Sequence, residues 1–261
     1  MSVNPVPLRR VHLTRYITPL REGGSMPAIA EADDGFHYVV KFRGAGQGTK
    51  ALIAELIGGE LARLMGLKVP ELVFVDLDEA FGRTEPDEEI QDLLKASTGL
   101  NIALHYLSGA ITFDPVVSKP DALTASKIVW LDALLMNMDR TARNANMLMW
   151  KNELWLIDHG ASLYFHHTGT PWDDKALQAF PLISNHVLIK EATEIESVSA
   201  QFKLLLNEEK INSIVQQIPG TWMEADFIYP SLEEQRKAYA NYLNKRIQQA
   251  DIFVKEVLHA K

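Results

Sequence analysis

The chain has 261 residues, 47% hydrophobic and 23% charged, which suits a soluble globular protein of one large domain or two joined lobes. Acidic residues outnumber basic ones by 34 to 26, a formal charge of −8, and this argues against general nucleic-acid binding, which ordinarily leaves a basic stripe. Cysteine is absent, so a disulfide framework, a thiolate zinc site and a cysteine nucleophile are all excluded, and a reducing cytoplasm is the compatible setting. No run approaches the ~18 apolar residues of a membrane span. The start of the chain, with Pro5, Pro7, Arg9 and Arg10, has no apolar region of the kind a signal peptide needs.

Val11–Thr18 alternates as a strand, and Arg21-Glu22-Gly23-Gly24-Ser25 is expected to turn the chain into a returning run at Pro27–Ala32. Asp33-Asp34-Gly35 is a second turn, followed by a β-rich run at Phe36–Phe42, so a meander is predicted. Gly44–Gly48 reads as a flexible connection. Thr49 is then placed to cap a helix to Met65, with Gly66 at its C′ position. Gly58-Gly59 in the middle of that helix costs roughly 1 kcal/mol per glycine against alanine, which points to close approach of another backbone. Val73–Leu77 is the next strand, Glu85–Lys95 an acidic, solvated helix, and Leu100–Tyr106 a strand.

Pro120-Asp121 opens a long apolar helix to about Met136. Met147–Trp150 and Leu154–Ile157 read as a hairpin turning at Lys151-Asn152. From Asp173 the pattern is helical to the end. The last helix starts from a capping box at Ser231 and carries a stripe through Leu243, Ile247, Ala250 and Val257. Tyr164-Phe165 is expected in the core.

The segment Asp139-Arg140-Thr141-Ala142-Arg143-Asn144, with Leu156-Ile157-Asp158-His159-Gly160 after it, carries the chemistry. Phosphoryl transfer needs one carboxylate to orient or deprotonate an acceptor hydroxyl. It also needs an amide oxygen and a second carboxylate to hold Mg²⁺ against nucleotide phosphates. Lys41, flanked by Val39, Val40 and Phe42, either points outward from a half-exposed strand or needs a partner such as Glu55. Glu60 is a rival partner on a different face of the same helix. Gly23-Gly24-Ser25 is either a phosphate-facing nest or a plain hairpin turn. No G-x-x-x-x-G-K-[ST] loop occurs.

These residues resemble the catalytic and metal loops of the phosphatidylinositol 3-/4-kinase superfamily. With Tyr38-Val39-Val40-Lys41-Phe42 and the run from Ala54-Glu55-Leu56 to Gly66-Leu67-Lys68-Val69-Pro70, the chain more closely resembles the bacterial HipA-like kinases. The resemblance covers residues 10–165. It implies an α+β, two-lobed protein-kinase-like fold, divided into a strand-rich nucleotide-binding lobe over 1–105 and a helical lobe over 106–261. It implies Asp139 as the catalytic aspartate, Lys41 as the phosphate contact paired with Glu55, and Asn144 and Asp158 as metal ligands. ATP would lie with its adenine against Leu100–Leu107, including Tyr106. The expected activity is ATP- and Mg²⁺-dependent transfer to a protein Ser or Thr, with no direct nucleic-acid or membrane partner.

Two positions depart from the pattern. His159 stands where many kinases have Phe, and Thr141 where phosphoinositide kinases often have His. A small-molecule or lipid kinase and a non-catalytic nucleotide-binding pseudokinase are the competing readings. A metal-hydrolase site at His159, His166 and His167 lacks ligand spacing, because the adjacent pair is expected to diverge.

Overall fold

Alternation decides which side chains of the first hundred residues face inward. The computed structural model describes residues 6–20, 26–83 and 85–260. Strand β1 (Arg9–Pro19) buries Val11 and Leu13 and sends Arg9, Arg10 and Arg15 outward to Glu71, Asp76 and Glu31. β2 (Ala28–Ala32) runs antiparallel to it and buries every second residue, each an alanine, and β3 (His37–Lys41) follows through a turn in which Gly35 takes φ +79°. β4 (Leu72–Leu77) and β5 (Gly99–His105) complete a closed barrel in the order β1-β2-β3-β5-β4. The expected meander accounts for β1 to β3. Closure comes from β1 lying parallel to β4, with Val11 opposite Val75. Gly23, Gly24 and Ser25 lie outside the described residues.

Helix α1 (Gly48–Leu64) is buried on all sides from Leu52 to Ala62. A helix buried all round lies between two layers, here the barrel and the helical lobe. Its N-cap is Gln47 with no side-chain cap, so Thr49, expected there, lies inside the first turn. Gly66 takes φ +73° as a C′ residue should. The glycine pair meets side chains rather than backbone: a Cβ on Gly58 would sit 2.6 Å from His159 Cβ, and one on Gly59 would strike Leu72. α2 (Glu88–Ala96) is capped by Asp87 and turns Ile90 and Leu94 onto the barrel core.

The second lobe is built round α3 (Ala122–Leu135), capped by Asp121 and buried from Ala125 to Leu135 except Lys127. A small sheet of β6 (Ile111–Thr112), β7 (Met147–Trp150) and β8 (Glu153–Leu156) lies beside it. β6 is too short to leave a sequence pattern. Lys151 and Asn152 both take positive φ, as a tight two-residue hairpin turn requires.

The stretch from Asp173 is helical only in part. It begins with 3₁₀ turns at Lys175–Leu177 and Pro181–Asn185, and the first α-helix there is α4 (Ile195–Leu205). α5 (Glu208–Val215) and α6 (Leu232–Gln248) follow, and α6 has the expected capping box, Ser231 with Glu234. The last helix is two: the chain breaks at Gln249-Ala250 before α7 (Asp251–His259), although the apolar stripe runs on. Among the described residues no helix is long and apolar enough to cross a membrane.

Arg246 ties this lobe together. It is 1% exposed and donates to the carbonyls of Ala133, Leu134, Ala176 and Gln178, satisfying the last turn of α3 with a cation where the helix dipole favours one. Arg246→Met leaves these buried acceptors unpaired, and each such group costs on the order of 1–3 kcal/mol. The variant is expected to lose at least ~3 kcal/mol in urea denaturation; a loss below ~1 kcal/mol contradicts this role.

Candidate active site

On β3, Tyr38 and Val40 fill the barrel, so Val39 and Lys41 face the other way, into a cleft between the lobes. Lys41 is therefore outside the barrel but not in open water. Its Nζ lies 2.6 Å from Glu55 Oε2 on α1 and 2.5 Å from Asp158 Oδ1 after β8. Glu60 pairs with Arg63 instead. Burial alone would push the Glu55 carboxyl up. The charge of Lys41, joined by the His159 side chain, overcomes this and holds it well below the ordinary carboxylate range; Glu55 Oε2 also accepts from the backbone N–H of His159 at 2.8 Å. Burial likewise opposes the Lys41 cation, and Glu55 and Asp158 more than restore it.

Asp158 takes φ +56°, an uncommon conformation for a non-glycine residue that recurs at functional sites. His159 is fully buried with its side chain against Gly58. The residue in the aromatic position thus links Asp158 to α1 through its backbone N–H and its packing.

Asp139 is held from below by a buried polar frame. Asp132, in the last turn of α3, accepts from Asn137 Nδ2 at 2.9 Å, Arg140 Nε at 2.6 Å and His186 Nε2 at 2.9 Å. Burial works against its charge, but Arg140 and His186 bring its carboxyl well below the ordinary range. Arg140 Nη1 then reaches the carbonyl of Asn146 at 2.5 Å. Above this frame, Thr141 and Asn144 exchange backbone hydrogen bonds and close a tight turn. Asp139 Oδ2 accepts from Asn144 Nδ2 at 2.8 Å and Asn146 Nδ2 at 3.3 Å.

Lys41, Asp139, Asn144, Asn146 and Asp158 all line one cavity of about 680 Å³. Its apolar part comes from Val39, Leu104, Leu107, Leu148 and Ile157, with Tyr106 beside them. Of the segment 100–107, only residues 104–107 line it, whereas Ile102 and Ala103 are buried in the core. Leu20 and Pro27, which flank the undescribed Gly23-Gly24-Ser25, also line the cavity. A smaller cavity of about 360 Å³, beside the start of α3, contains none of the polar five.

The donor set is chemically suited to a hard cation. Asp158 offers carboxylate oxygen and Asn144 an amide oxygen, and Mg²⁺ is ordinarily held by one or two protein oxygens together with phosphates and water. The histidines form no rival site. His166 and His167, expected to diverge, turn toward each other with Nε2 atoms 3.1 Å apart, because the 3₁₀ turn Tyr164–His167 and the Tyr239 hydroxyl orient His166. Burial lowers His166 well below its ordinary value, and among the described residues no group of three or more potential ligands converges. Phe165 is core, as expected, but Tyr164 is 56% exposed.

Asp132, Asn146 and His186 were not singled out by sequence reasoning. An acidic residue inside the otherwise apolar run Val129-Trp130-Leu131-Asp132-Ala133-Leu134 was the available signal for the first, since a buried charge requires partners.

A closed strand barrel joined through this cleft to a helical lobe is a two-lobed kinase-like fold. A family model for HipA-like kinases matches residues 13–253, and the chain belongs to that family. The crystal structure of CtkA, a proinflammatory kinase of Helicobacter pylori, matches with a TM-score of 0.53 at 12% identity, covering 97% of this chain and 98% of that one. The Golgi casein kinase with Mn/ADP bound matches with a TM-score of 0.49 at 12% identity, covering 98% of this chain and 74% of that one. No curated protein matches the chain.

Two expectations follow from the site. Gly58→Ala drives a methyl group into His159, so it is expected to cost about 1–3 kcal/mol where the same change at an open helix position would gain about 1; a stabilised variant in denaturant unfolding contradicts this. The second concerns acid. Because the folded-state pKa of Glu55 is depressed, its stabilisation is complete above its unfolded value of about 4.3 and is lost as pH falls from there toward the folded value. Glu55→Gln is expected to lower stability at pH 7 and to flatten the loss between about pH 4.5 and 3; an unchanged acid slope contradicts it.

Proposed function

We propose that this HipA-like kinase transfers the γ-phosphoryl group of ATP to a Ser or Thr hydroxyl of a protein. The observation that carries the reading is the convergence on one cleft of Asp139, Asn144, Asp158 and Lys41, the last paired with the buried Glu55 behind it. The apolar part of that cleft, with Tyr106, offers an adenine site. Lys41, already held by two carboxylates, is aimed to contact phosphate oxygens. Asn144 and Asp158 would hold Mg²⁺, which when bound neutralises charge developing on the phosphates.

Asp139 orients the acceptor hydroxyl and takes its proton. The hydroxyl oxygen then bonds to the γ-phosphorus as the bond from phosphorus to the β–γ bridging oxygen breaks, leaving a phosphoester and ADP. Positioning and charge neutralisation supply the catalysis. Family resemblance supports the protein acceptor, and the cysteine-free sequence is compatible with a cytoplasmic setting. Gly23, Gly24 and Ser25 remain candidates for phosphate contact on sequence grounds alone.

The test is phosphate transfer by the purified protein with Mg²⁺ and ATP, read by mass spectrometry and labelled acceptors. Wild type should transfer phosphate and Asp158→Ala should not. Asp139→Ala should lose roughly 10²- to 10⁴-fold in rate while still binding ATP in a thermal-shift assay. ATP binding without transfer by wild type would favour a pseudokinase, preferential labelling of a lipid or metabolite a different acceptor class, and no ATP binding would overturn the reading.

A further inference from the structure

We infer that Asn146 is a positioning residue that holds the Asp139 carboxylate in its working orientation. The inference rests on the proposed kinase reading of the cleft.

Asp139 has two inequivalent oxygens. Oδ2 accepts from the amides of Asn144 and Asn146, whereas among the described residues nothing donates to Oδ1. A carboxylate so bonded cannot rotate about its last torsion without breaking two charge-assisted hydrogen bonds. Oδ1 is left as the oxygen to receive a proton from the acceptor.

The two asparagines are not equivalent. Asn144 is exposed at the end of the Thr141–Asn144 turn, and its side chain has a second task, because its amide oxygen is a proposed metal ligand. Asn146 is 8% exposed. Its carbonyl is pinned from two sides, by Arg140 Nη1 at 2.5 Å and by the N–H of Ile157 at 3.0 Å. Arg140 is in turn fixed to Asp132. Asn146 therefore connects Asp139 to this buried, ion-paired frame, and the proposed reading gives its amide no duty to the metal.

Asn146 also takes φ +48°, a left-handed conformation that asparagine tolerates and most side chains do not. Two reasons for an asparagine here thus compete: the backbone conformation and the amide donor. Glycine separates them, because it keeps the first and removes the second.

The experiment compares wild type, Asn146→Gly, Asn146→Asp and Asn144→Ala as full-length proteins, measuring phosphate transfer against ATP concentration, Mg²⁺ concentration and pH. For Asn146→Gly the expected result is kcat lowered roughly tenfold to a hundredfold, the scale on which a misplaced catalytic group costs rate. KM for ATP and the Mg²⁺ concentration for half-maximal rate should stay within about threefold of wild type, since the residue positions rather than binds. Asn146→Asp places a negative charge beside Asp139 and should move the acid limb of the pH–rate profile to higher pH. Asn144→Ala, in contrast, should raise the Mg²⁺ requirement. Wild-type kcat in Asn146→Gly overturns the inference and leaves the residue a backbone role only. A raised Mg²⁺ requirement in that variant also overturns it, making Asn146 a metal ligand. Wild type inactive on every acceptor would sink the kinase reading and this inference with it, whereas active wild type with an unimpaired glycine variant sinks the inference alone.

Discussion

The ammonium of Lys41 belongs to neither lobe alone. It is carried by the barrel, paired with a fully buried carboxylate on the helix between the lobes, and paired again with a carboxylate from the far side of the cleft. Desolvating three charges is unfavourable unless their geometry is good and the remaining lone pairs are bonded. Glu55 Oε2 meets that demand through Lys41 and the His159 N–H, Glu55 Oε1 has only His159 Nδ1 near it at 3.7 Å, and Asp158 keeps 42% of its side chain in contact with solvent. The charges consequently fix the distance between β3, α1 and the end of β8. A buried ion group of this kind contributes little net stability, but it specifies one arrangement of the lobes over others.

A second buried ion group does the same work on the other side of the cleft. Asp132 and Arg140 are both fully buried, and His186 joins them from fifty-four residues further along the chain. That group holds the irregular segment after α3 in place without regular secondary structure. Glu55 and Asp132 are thus two desolvated carboxylates, each neutralised by one cation and each displaying a more exposed carboxylate, Asp158 or Asp139, to the space between.

Periodicity made most single elements legible. The alternation in β1 to β3, the turn at Lys151-Asn152 and the capping box at Ser231 are local, and local chemistry decides them. What the pattern could not convey was non-local. Nothing in Arg9–His12 announces that these residues lie parallel to Val73–Asp76. The apolar stripe through Ala250 and Val257 hides the break between α6 and α7, because the side chains keep facing the core across it. In the site, the spacing of Asp139, Asn144 and Asp158 was readable because a loop and a hairpin separate them by fixed lengths. The supporting partners were not, since His186 sits in a stretch of 3₁₀ turns with no period to read.

The parallel contact between β1 and β4 has a consequence in time rather than in space. Arg9 faces Val73, and α1 with all its buried side chains lies between them in the sequence. During synthesis the first strand can find β2 at once, but its other flank stays open until β4 has left the ribosome. Closing so long a loop carries an entropic cost that local pairing does not. Until then the nascent barrel presents an unpaired edge, of the kind to which other chains add. Once β4 docks, that edge no longer exists.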